Sequence, residues 1–398
     1  MNRSKTIVVA TLGATQTVAW GSSFHMPAIL GVPIATTLDI APTLFFGFFS
    51  GALLLSAAIA PYVGQLTDRH GGRAVLAASN VVIAAGLALL GLSQGAVSLA
   101  LAWVVLGIGM GMGLYEPVFA ALTRLYGRNA RGPITGITLI GGFASAIGWP
   151  ATAWMEHTLG WREACLIWAA IHLFLAMPLN LWAIPSASPT PAPVPGAAVA
   201  EAEADPEPPP GAMLILAYFF SAMRFVSGAF AAHLPGLLQG AGVLEVAAIA
   251  TAALVGPAQV GARLAEFGLL RSFHPLISAR IASVLHPLGA AFLVALGPAG
   301  AAAFVVLYGA GNGMITIARG TLPLAIFGPS GYGRRNGILA VPIRIAEASA
   351  PLLFALLLAA IGSEAVLVTA GICLSAFASL GLLRARAVPR PAMSSADN

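Results

Sequence analysis

The sequence predicts an all-α polytopic membrane protein with twelve transmembrane helices in two pseudo-symmetric six-helix bundles. Of its 398 residues, 58% are hydrophobic and only 8% are charged, with a mean hydropathy of +0.89. Soluble domains carry about 25% charged residues, so this composition excludes an ordinary soluble enzyme. The apolar residues come in repeated runs near the roughly 20 residues that a helix needs to cross a bilayer. A membrane β-barrel would instead show short segments of alternating polarity.

Short polar or glycine-bearing segments separate these runs and define the spans in chain order. The first run follows the basic residues Arg3 and Lys5 and is too long for a signal peptide, so we interpret it as an uncleaved span. The breaks near Gln94 and at Gly297-Pro298 depend on only a few polar or helix-breaking residues. The predicted spans are 6–31, 42–66, 74–93, 97–122, 133–155, 163–184, 212–236, 246–270, 276–296, 299–323, 337–361 and 365–383.

Arginines predict the orientation, because cytoplasmic loops carry an excess of basic residues. With the N-terminus inside, the outer loops contain a single arginine, Arg162. Both termini are therefore predicted in the cytoplasm of a bacterial-type inner membrane. The net charge of +5 does not indicate nucleic-acid binding, since the arginines are spread over short loops. The inner loops hold Arg69, Arg73, Arg124, Arg128, Arg131, Arg271, Arg280, Arg334 and Arg335, and the tail holds Arg384, Arg386 and Arg390.

The chain divides into two halves around a proline- and alanine-rich segment that cannot bury enough apolar surface to fold. We predict an N-terminal bundle over 1–185, a flexible cytoplasmic linker over 186–211, a C-terminal bundle over 212–386 and a tail over 387–398. The two halves also share short sequence motifs. Three motifs recur at offsets of 208, 200 and 204 residues: His25-Met26-Pro27 with His233-Leu234-Pro235, the glycines from 109 with those from 309, and Arg131 with Arg335. Two such halves around a midplane site are the architecture of alternating-access transporters.

The polar loop between the second and third spans is the most specific motif in the chain. Its pattern Gly64-x-Leu-x-Asp68-Arg69-x-Gly71-x-Arg73 resembles the signature loop of the major facilitator superfamily. The segments 60–64, 124–132 with 141–142, and 160–162 resemble the monocarboxylate and oxalate–formate exchanger branch. The resemblance implies a secondary transporter whose spans one, four, seven and ten line the cavity. We expect the loop to act as a conformational latch, with Asp68 meeting the N-terminal end of the eleventh span.

The candidate substrate site centres on Arg224, near the middle of the seventh span. A guanidinium at midplane is suited to holding a carboxylate through two parallel hydrogen bonds. The alternative is an arginine paired with an acid or with carbonyls of a neighbouring helix. Gln16, Trp20, Phe24 and Tyr115 on cavity-lining spans are further substrate-binding candidates, although aromatic side chains at helical spacing are commonly ordinary packing.

The candidates for proton coupling or gating are Glu116, Arg319, His25 and His233. Glu116 and Arg319 lie in pseudo-equivalent spans, where they would form a gate, or Glu116 would carry a proton; a static bridge is the alternative. The two histidines would relay protons at the outer mouth, or simply bond to carbonyls. Two i, i+3 pairs, Arg344 with Glu347 and Arg263 with Glu266, are predicted to be structural.

The function predicted from these residues is transport of a small organic anion, monocarboxylate-like and proton-coupled, by a monomeric functional unit in a lipid bilayer. The alternative is a proton-driven exporter of amphiphilic drugs or metabolites. A receptor on a transporter scaffold remains a third class. The only lysine is Lys5, so a Walker-type ATP site within this chain is excluded. No catalytic motif, cofactor or metal site is predicted.

Overall fold

The computed structural model describes residues 4–185, 208–270 and 273–383, and these residues are almost entirely helical. Most of the predicted linker 186–211 and the whole tail 387–398 lie outside the described residues. Eight helical stretches in the described ranges are long and apolar enough to cross a membrane, or nine if the bent pair Lys5–His25 and Pro27–Thr37 is one crossing. Three of the eight, of 64, 53 and 51 residues, are each longer than two crossings need. Counting those as two crossings each, together with the bent pair, gives twelve.

Those three long stretches turn at short 3₁₀ segments that each begin with a glycine of positive φ. The segments are Gly127–Ala130, Gly297–Gly300 and Gly362–Glu364, and their first glycines have φ of 52°, 55° and 61°. Residues with a Cβ rarely adopt this conformation, so glycine fixes where one helix ends and the next begins. The predicted break at Gly297-Pro298 therefore has a backbone cause.

The spans of the N-terminal bundle include several broken helices. Span one is Lys5–Ala19, a π-helical turn Trp20–His25 and Pro27–Thr37; span four is Ala96–Gly113 and Tyr115–Tyr126. The other spans of this bundle are Pro42–His70, Gly72–Gly91, Arg131–Gly141 with Ala144–Leu159, and Trp161–Ile171 with His172–Ala176 and Met177–Ala183. In span four, the break at Leu114 places the start of the second helix, Tyr115 and Glu116, inside the bundle.

The C-terminal bundle has longer, more continuous helices. They are Ala212–Gly240, Glu245–Ala252 with Val255–Ala265 and the π-helical turn Glu266–Leu270, Pro275–Leu296, Ala301–Phe327, Tyr332–Ile361 and Ala365–Ser379. One large cluster of buried apolar residues lies wholly within this half, and another lies wholly within the N-terminal half. A third cluster joins the two halves, because Leu324 and Tyr332 pack among residues of the first, third, fourth and fifth spans.

The two bundles meet most closely at one end of the molecule, which we call the Asp68 end. There the second span lies against the start of the eleventh, and a Cβ at Gly64 would overlap the carbonyl oxygen of Gly333. One turn further along, a Cβ at Gly337 would overlap the carbonyl of Ala60. Glycines spaced by four residues allow this backbone approach between membrane helices. We call this contact of Gly64, Asp68, Gly333 and Gly337 the bundle seam.

Candidate substrate site between the two bundles

Five charged side chains lie between the bundles and form the central charge cluster. Leu114 is extended, so the helix Tyr115–Tyr126 begins inside the molecule and carries an acid in its first turn. The long uninterrupted helices of the other half supply the remaining members at mid-length. The cluster comprises Glu116 of span four, Arg224 of span seven, Arg319 of span ten, and Arg344 and Glu347 of span eleven.

The central ion pairs link three spans and both bundles. Arg224 bonds to the Glu347 carboxylate, and Arg344 bonds to its other oxygen at 3.2 Å. Arg344 also lies 3.8 Å from Glu116, across the boundary between the bundles. The Arg344 side chain is only 7% exposed, whereas that of Arg224 is 25% exposed. Arg224 is therefore the more accessible of these two guanidinium groups.

The structure gives Glu116 and Arg319 different partners from those predicted. Arg319 bonds to the side-chain oxygen of Asn336 and donates to its carbonyl at 3.2 Å, while Glu116 lies beside Arg344. Asn336 is one turn into the eleventh span, on the surface that faces the tenth span, so Arg319 is held within its own bundle. The cluster thus holds three arginines and two glutamates, a surplus of one positive charge.

Arg263 and Glu266 are not brought together, although the spacing predicts a pair. Arg263 donates weakly to Gln259 and Thr316, both at 3.4 Å, and its Nε has no hydrogen-bond partner. The helix changes to a π-helical turn at Glu266, so the regular i, i+3 alignment of an α-helix is lost there. The Arg263 guanidinium instead reaches the fifth span, where a Cβ at Gly142 would overlap it.

Aromatic rings of the N-terminal bundle form one wall of the site. The ring of Trp20 lies 5.0 Å from that of Phe24 and 4.9 Å from that of Tyr115. The Arg344 guanidinium lies 5.9 Å from the Trp20 ring, so this wall faces the charge cluster. One turn before Trp20, Gln16 donates to the carbonyl of Gly113 at 2.6 Å. Gln16 Oε1 and Trp20 Nε1 are buried without a hydrogen-bond partner.

The signature loop contacts the start of the eleventh span directly. Asp68 accepts hydrogen bonds from the backbone N–H groups of Gly333 and Arg334, each at 2.9 Å. A carboxylate at the N-terminal turn of a helix is stabilised by unpaired N–H groups and by the helix dipole. Gly71 has a φ of 83° and ends the second span, Arg69 is exposed, and Arg73 is half-buried.

Comparison with known proteins identifies the family. A model described as Major Facilitator Superfamily matches residues 12–322, more than half of the chain. The chain belongs to the major facilitator superfamily. Members of this superfamily are transporters, so the chain is a secondary transporter and not an enzyme.

Solved structures of this superfamily share the fold over nearly the whole chain. The human organic anion transporter MFSD10 (TETRAN) has a TM-score of 0.74 at 16% identity, covering 95% of this chain and 100% of that one. The fucose:proton symporter FucP of E. coli has a TM-score of 0.70 at 14% identity, covering 95% and 99%. The proton:xylose symporter XylE has a TM-score of 0.69 at 13% identity, covering 94% of each chain. An uncharacterised 38 kDa protein in the 23S RNA operon of Thermoproteus tenax is 29% identical over 352 residues, 86% of each chain.

The two histidines predicted to relay protons occupy different surroundings in this transporter. His233 Nε2 lies 2.9 Å from the carbonyl oxygen of Pro351, so its ring is bonded to the eleventh span. The ring of His25 packs against that of Trp149 at 5.7 Å, and the indole of Trp149 donates to the His25 carbonyl at 3.0 Å. Neither imidazole contacts a member of the charge cluster among the bonds of the described residues.

Two buried histidines that the sequence analysis did not select hold the bundles together internally. His172 lies 2.8 Å from Ser22 Oγ and 2.8 Å from Asn80 Oδ1, joining spans one, three and six. His286 lies 3.0 Å from Thr369 Oγ1, joining spans nine and twelve. Both histidines are single polar residues inside long apolar runs. That pattern could have indicated them, because membrane helices use such groups to hydrogen-bond one another.

Proposed function

We propose that this transporter moves a small organic anion, monocarboxylate-like, by alternating access and in exchange with or together with protons. The observation that carries the proposal is the surplus of one positive charge in the central charge cluster. Uncompensated charge inside a membrane protein is costly, by about 2.5–3.5 kcal/mol on insertion scales. A monoanion bound at the cluster while Glu116 is ionised would neutralise it. Arg263 has no carboxylate partner among the described residues, so its positive charge would further attract an anion to the site.

The accessible arginine of the cluster is the proposed point of attachment. Arg224 has the more exposed guanidinium, and its ion-pair partner among the described residues is Glu347. A substrate carboxylate would replace Glu347 there and receive two parallel hydrogen bonds. Glu347 keeps Arg344 as its second partner at 3.2 Å, so it is not left unpaired. The apolar part of the substrate would then lie against the aromatic wall of Trp20, Phe24 and Tyr115.

The proposed proton-coupled gate is the contact between Glu116 and Arg344. At 3.8 Å this pair is longer than a direct hydrogen bond, and it joins the two bundles. An anion that attracts Arg344 would weaken the pair, and the released Glu116 would take up a proton in its buried site. Both bundles of one chain complete the site, which supports a monomeric functional unit.

The structural neighbours support this proposal. One structural neighbour is an organic anion transporter, and two others are proton symporters of sugars. The resemblance of the chain to the monocarboxylate branch supports the anion. The aromatic wall equally favours the second candidate, export of amphiphilic drugs or metabolites, because Trp20 and Phe24 offer an apolar surface.

The arginine distribution supports a bacterial-type inner membrane with the Asp68 end and both termini in the cytoplasm. Reaction from outside intact cells with a membrane-impermeant thiol reagent checks it. A cysteine placed at Arg162 should react, and one placed at Arg335 should not. Equal reaction at both positions would contradict the orientation.

Uptake of labelled monocarboxylates into proteoliposomes, with and without an inward proton gradient, tests the transport proposal. Wild-type protein should accumulate the anion, and Arg224→Ala should lower uptake at least tenfold because the carboxylate loses a bidentate, charge-assisted partner. Arg334→Ala is the matched control, since its side chain is exposed at the Asp68 end. Undiminished carboxylate uptake by Arg224→Ala would refute the site. Transport of amphiphiles without carboxylate uptake would favour the exporter.

A further inference from the structure

Glu266 is a buried acid that has no role in the transport mechanism proposed above. It is 2% exposed, and neither carboxylate oxygen has a hydrogen-bond partner. The other acids described at the bundle boundary, Asp68, Glu116 and Glu347, each contact an N–H group or an arginine. Glu266 also opens a π-helical turn, a feature that is frequent at functional sites.

The groups around Glu266 come from its own span and from its neighbours. Arg131 of span five is the cation that acts on it from the other bundle, and the Ser278 hydroxyl of span nine lies beside it. The Arg131 guanidinium donates hydrogen bonds to the carbonyl of Leu270, at 3.0 Å, and to that of Phe273. Ser278 Oγ is close enough to interact with the Glu266 carboxyl, but the two groups are not aligned for a regular hydrogen bond. Among the other charged or titratable residues close to it in sequence, Arg263 turns toward Gly142 of the fifth span, and His274 and Arg280 follow the span. Arg271 lies outside the described residues.

These surroundings favour the neutral acid in the conformation described. An ionised carboxylate without a bonded partner is strongly disfavoured in a low-dielectric interior. A protonated carboxyl avoids that cost and gains a donor that the adjacent Ser278 hydroxyl can accept. Because Arg131 is bonded to carbonyls, it does not supply the hydrogen bonds that an ionised Glu266 would need.

The same acid lies where the two bundles close on each other. The bonds from Arg131 to Leu270 and Phe273 fasten the fifth span over the end of the eighth, at the Asp68 end. Alternating access requires this end to open, which separates the two spans and admits water. An exposed carboxyl is stable as the anion, whereas the covered one is not.

We propose that Glu266 is a proton-binding site that ties closure of the Asp68 end to the pH on that side of the membrane. Opening releases one proton from the Glu266 carboxyl to the solution at the Asp68 end, leaving the carboxylate solvated, and closing takes one proton up again. Acidification on that side therefore favours the closed Asp68 end, and alkalinisation favours the open one. This coupling requires only alternating access and would apply to any cargo.

His274 is another titratable group described near this contact, and its role can be tested separately. Its Nδ1 accepts the Leu276 N–H at 3.1 Å and so caps the ninth span. Burial lowers the pKa of His274, and the positive charges of Arg131 and Arg280 lower it further. These effects favour the neutral imidazole. His274→Asn keeps a capping acceptor and removes the titration.

Thiol accessibility at the Asp68 end tests the proposal without any substrate. The reporter is Ala120→Cys in a background in which the two natural cysteines, Cys165 and Cys373, are replaced by alanine. Ala120 is 1% exposed and faces Gly333 across the bundle seam, so it reacts only when this end opens. In detergent-solubilised protein, the labelling rate is divided at each pH by that of a free thiol, because the thiolate is the reacting form and its fraction itself rises with pH. This relative labelling rate should rise with pH between about pH 5 and pH 9, by up to tenfold per pH unit for one linked proton.

Glu266→Gln imitates the protonated acid and should label slowly at every pH, at the acid limit of the unsubstituted reporter. Glu266→Asp keeps a titrating group and should keep a pH dependence. Glu245→Gln, the same change at an exposed position of the same span, and His274→Asn should both behave like the parent. A parental labelling rate that does not change with pH, or a parental pH dependence surviving in Glu266→Gln, would overturn the proposal. Absence of carboxylate transport would refute the proposed cargo and leave this result unaffected.

Discussion

The bundle seam and the central charge cluster both join the two halves, and they are built differently. At the seam, backbone meets backbone: Gly64 and Gly333 leave no room for a Cβ, and Asp68 accepts two main-chain N–H bonds. At the cluster, contact is made by the ends of long side chains, and Arg344 reaches 3.8 Å from Glu116. The seam is a steric fit, and the cluster is an exchangeable set of charges.

This difference assigns separate tasks to the two regions. A backbone contact between glycines either fits or does not, so we expect the seam to control closure of the Asp68 end. Side-chain ion pairs can change partners, as Glu347 shows by contacting both Arg224 and Arg344. Under the proposed function, we expect the cluster to sense the anion and the seam to convert its binding into a change of conformation.

Arg344→Gln should have the largest effect, because it removes the one cluster member that contacts acids of both bundles. Breaking a buried pair by deleting one partner costs about 3–5 kcal/mol, so transport should fall by at least hundredfold. Uptake in proteoliposomes, normalised to folded protein by size-exclusion chromatography, measures this. Adding Glu116→Gln should recover part of the folded yield, because Arg224 and Glu347 remain paired. A double variant that folds no better than Arg344→Gln would show that Glu116 is not the partner left unpaired.

Gly64→Ala should act through closure instead of charge. The new Cβ would overlap the Gly333 carbonyl, and overpacking of this kind costs about 1–3 kcal/mol or more. We expect the Ala120→Cys reporter to label on the order of tenfold to hundredfold faster, and transport to fall, because the Asp68 end cannot close. Gly47→Ala and Gly51→Ala in the same span have open space at the Cβ position and should behave like the parent. Unchanged labelling in Gly64→Ala would show that the seam does not control closure.

The sequence alone predicted features that are local in the chain. Apolar runs and glycine-containing breaks predicted the spans, and the loop motif around Gly64 and Asp68 predicted the superfamily, which the family comparison confirms. The spacing of Gly333 and Gly337 carried the same close-packing signal as the glycines of span four, and it could have located the seam.

The partners of the charged residues could not be predicted, because they depend on how helices distant in sequence are rotated. Arg319 had Glu116 as its expected partner, yet Asn336 of the neighbouring span lies closer. Arg263 and Glu266 have the right spacing for a pair, but the π-helical turn changes the register between them. The pair Arg344 and Glu347, on one continuous helix, is where spacing and structure agree.

Asp68→Asn should have the smallest effect of the three and distinguishes the two regions most clearly. The amide retains one acceptor but loses the charge that strengthens the bonds from Gly333 and Arg334. Hydrogen bonds to a charged group contribute about 1.5–3 kcal/mol, and losing part of that should favour opening of the Asp68 end by roughly tenfold. Labelling of Ala120→Cys measures the shift, and equilibrium binding measures substrate affinity, which should be unchanged within each conformation because the charge cluster is intact. A loss of affinity with unchanged labelling would mean that the loop contributes to the cargo site, and the division of tasks between seam and cluster would fail.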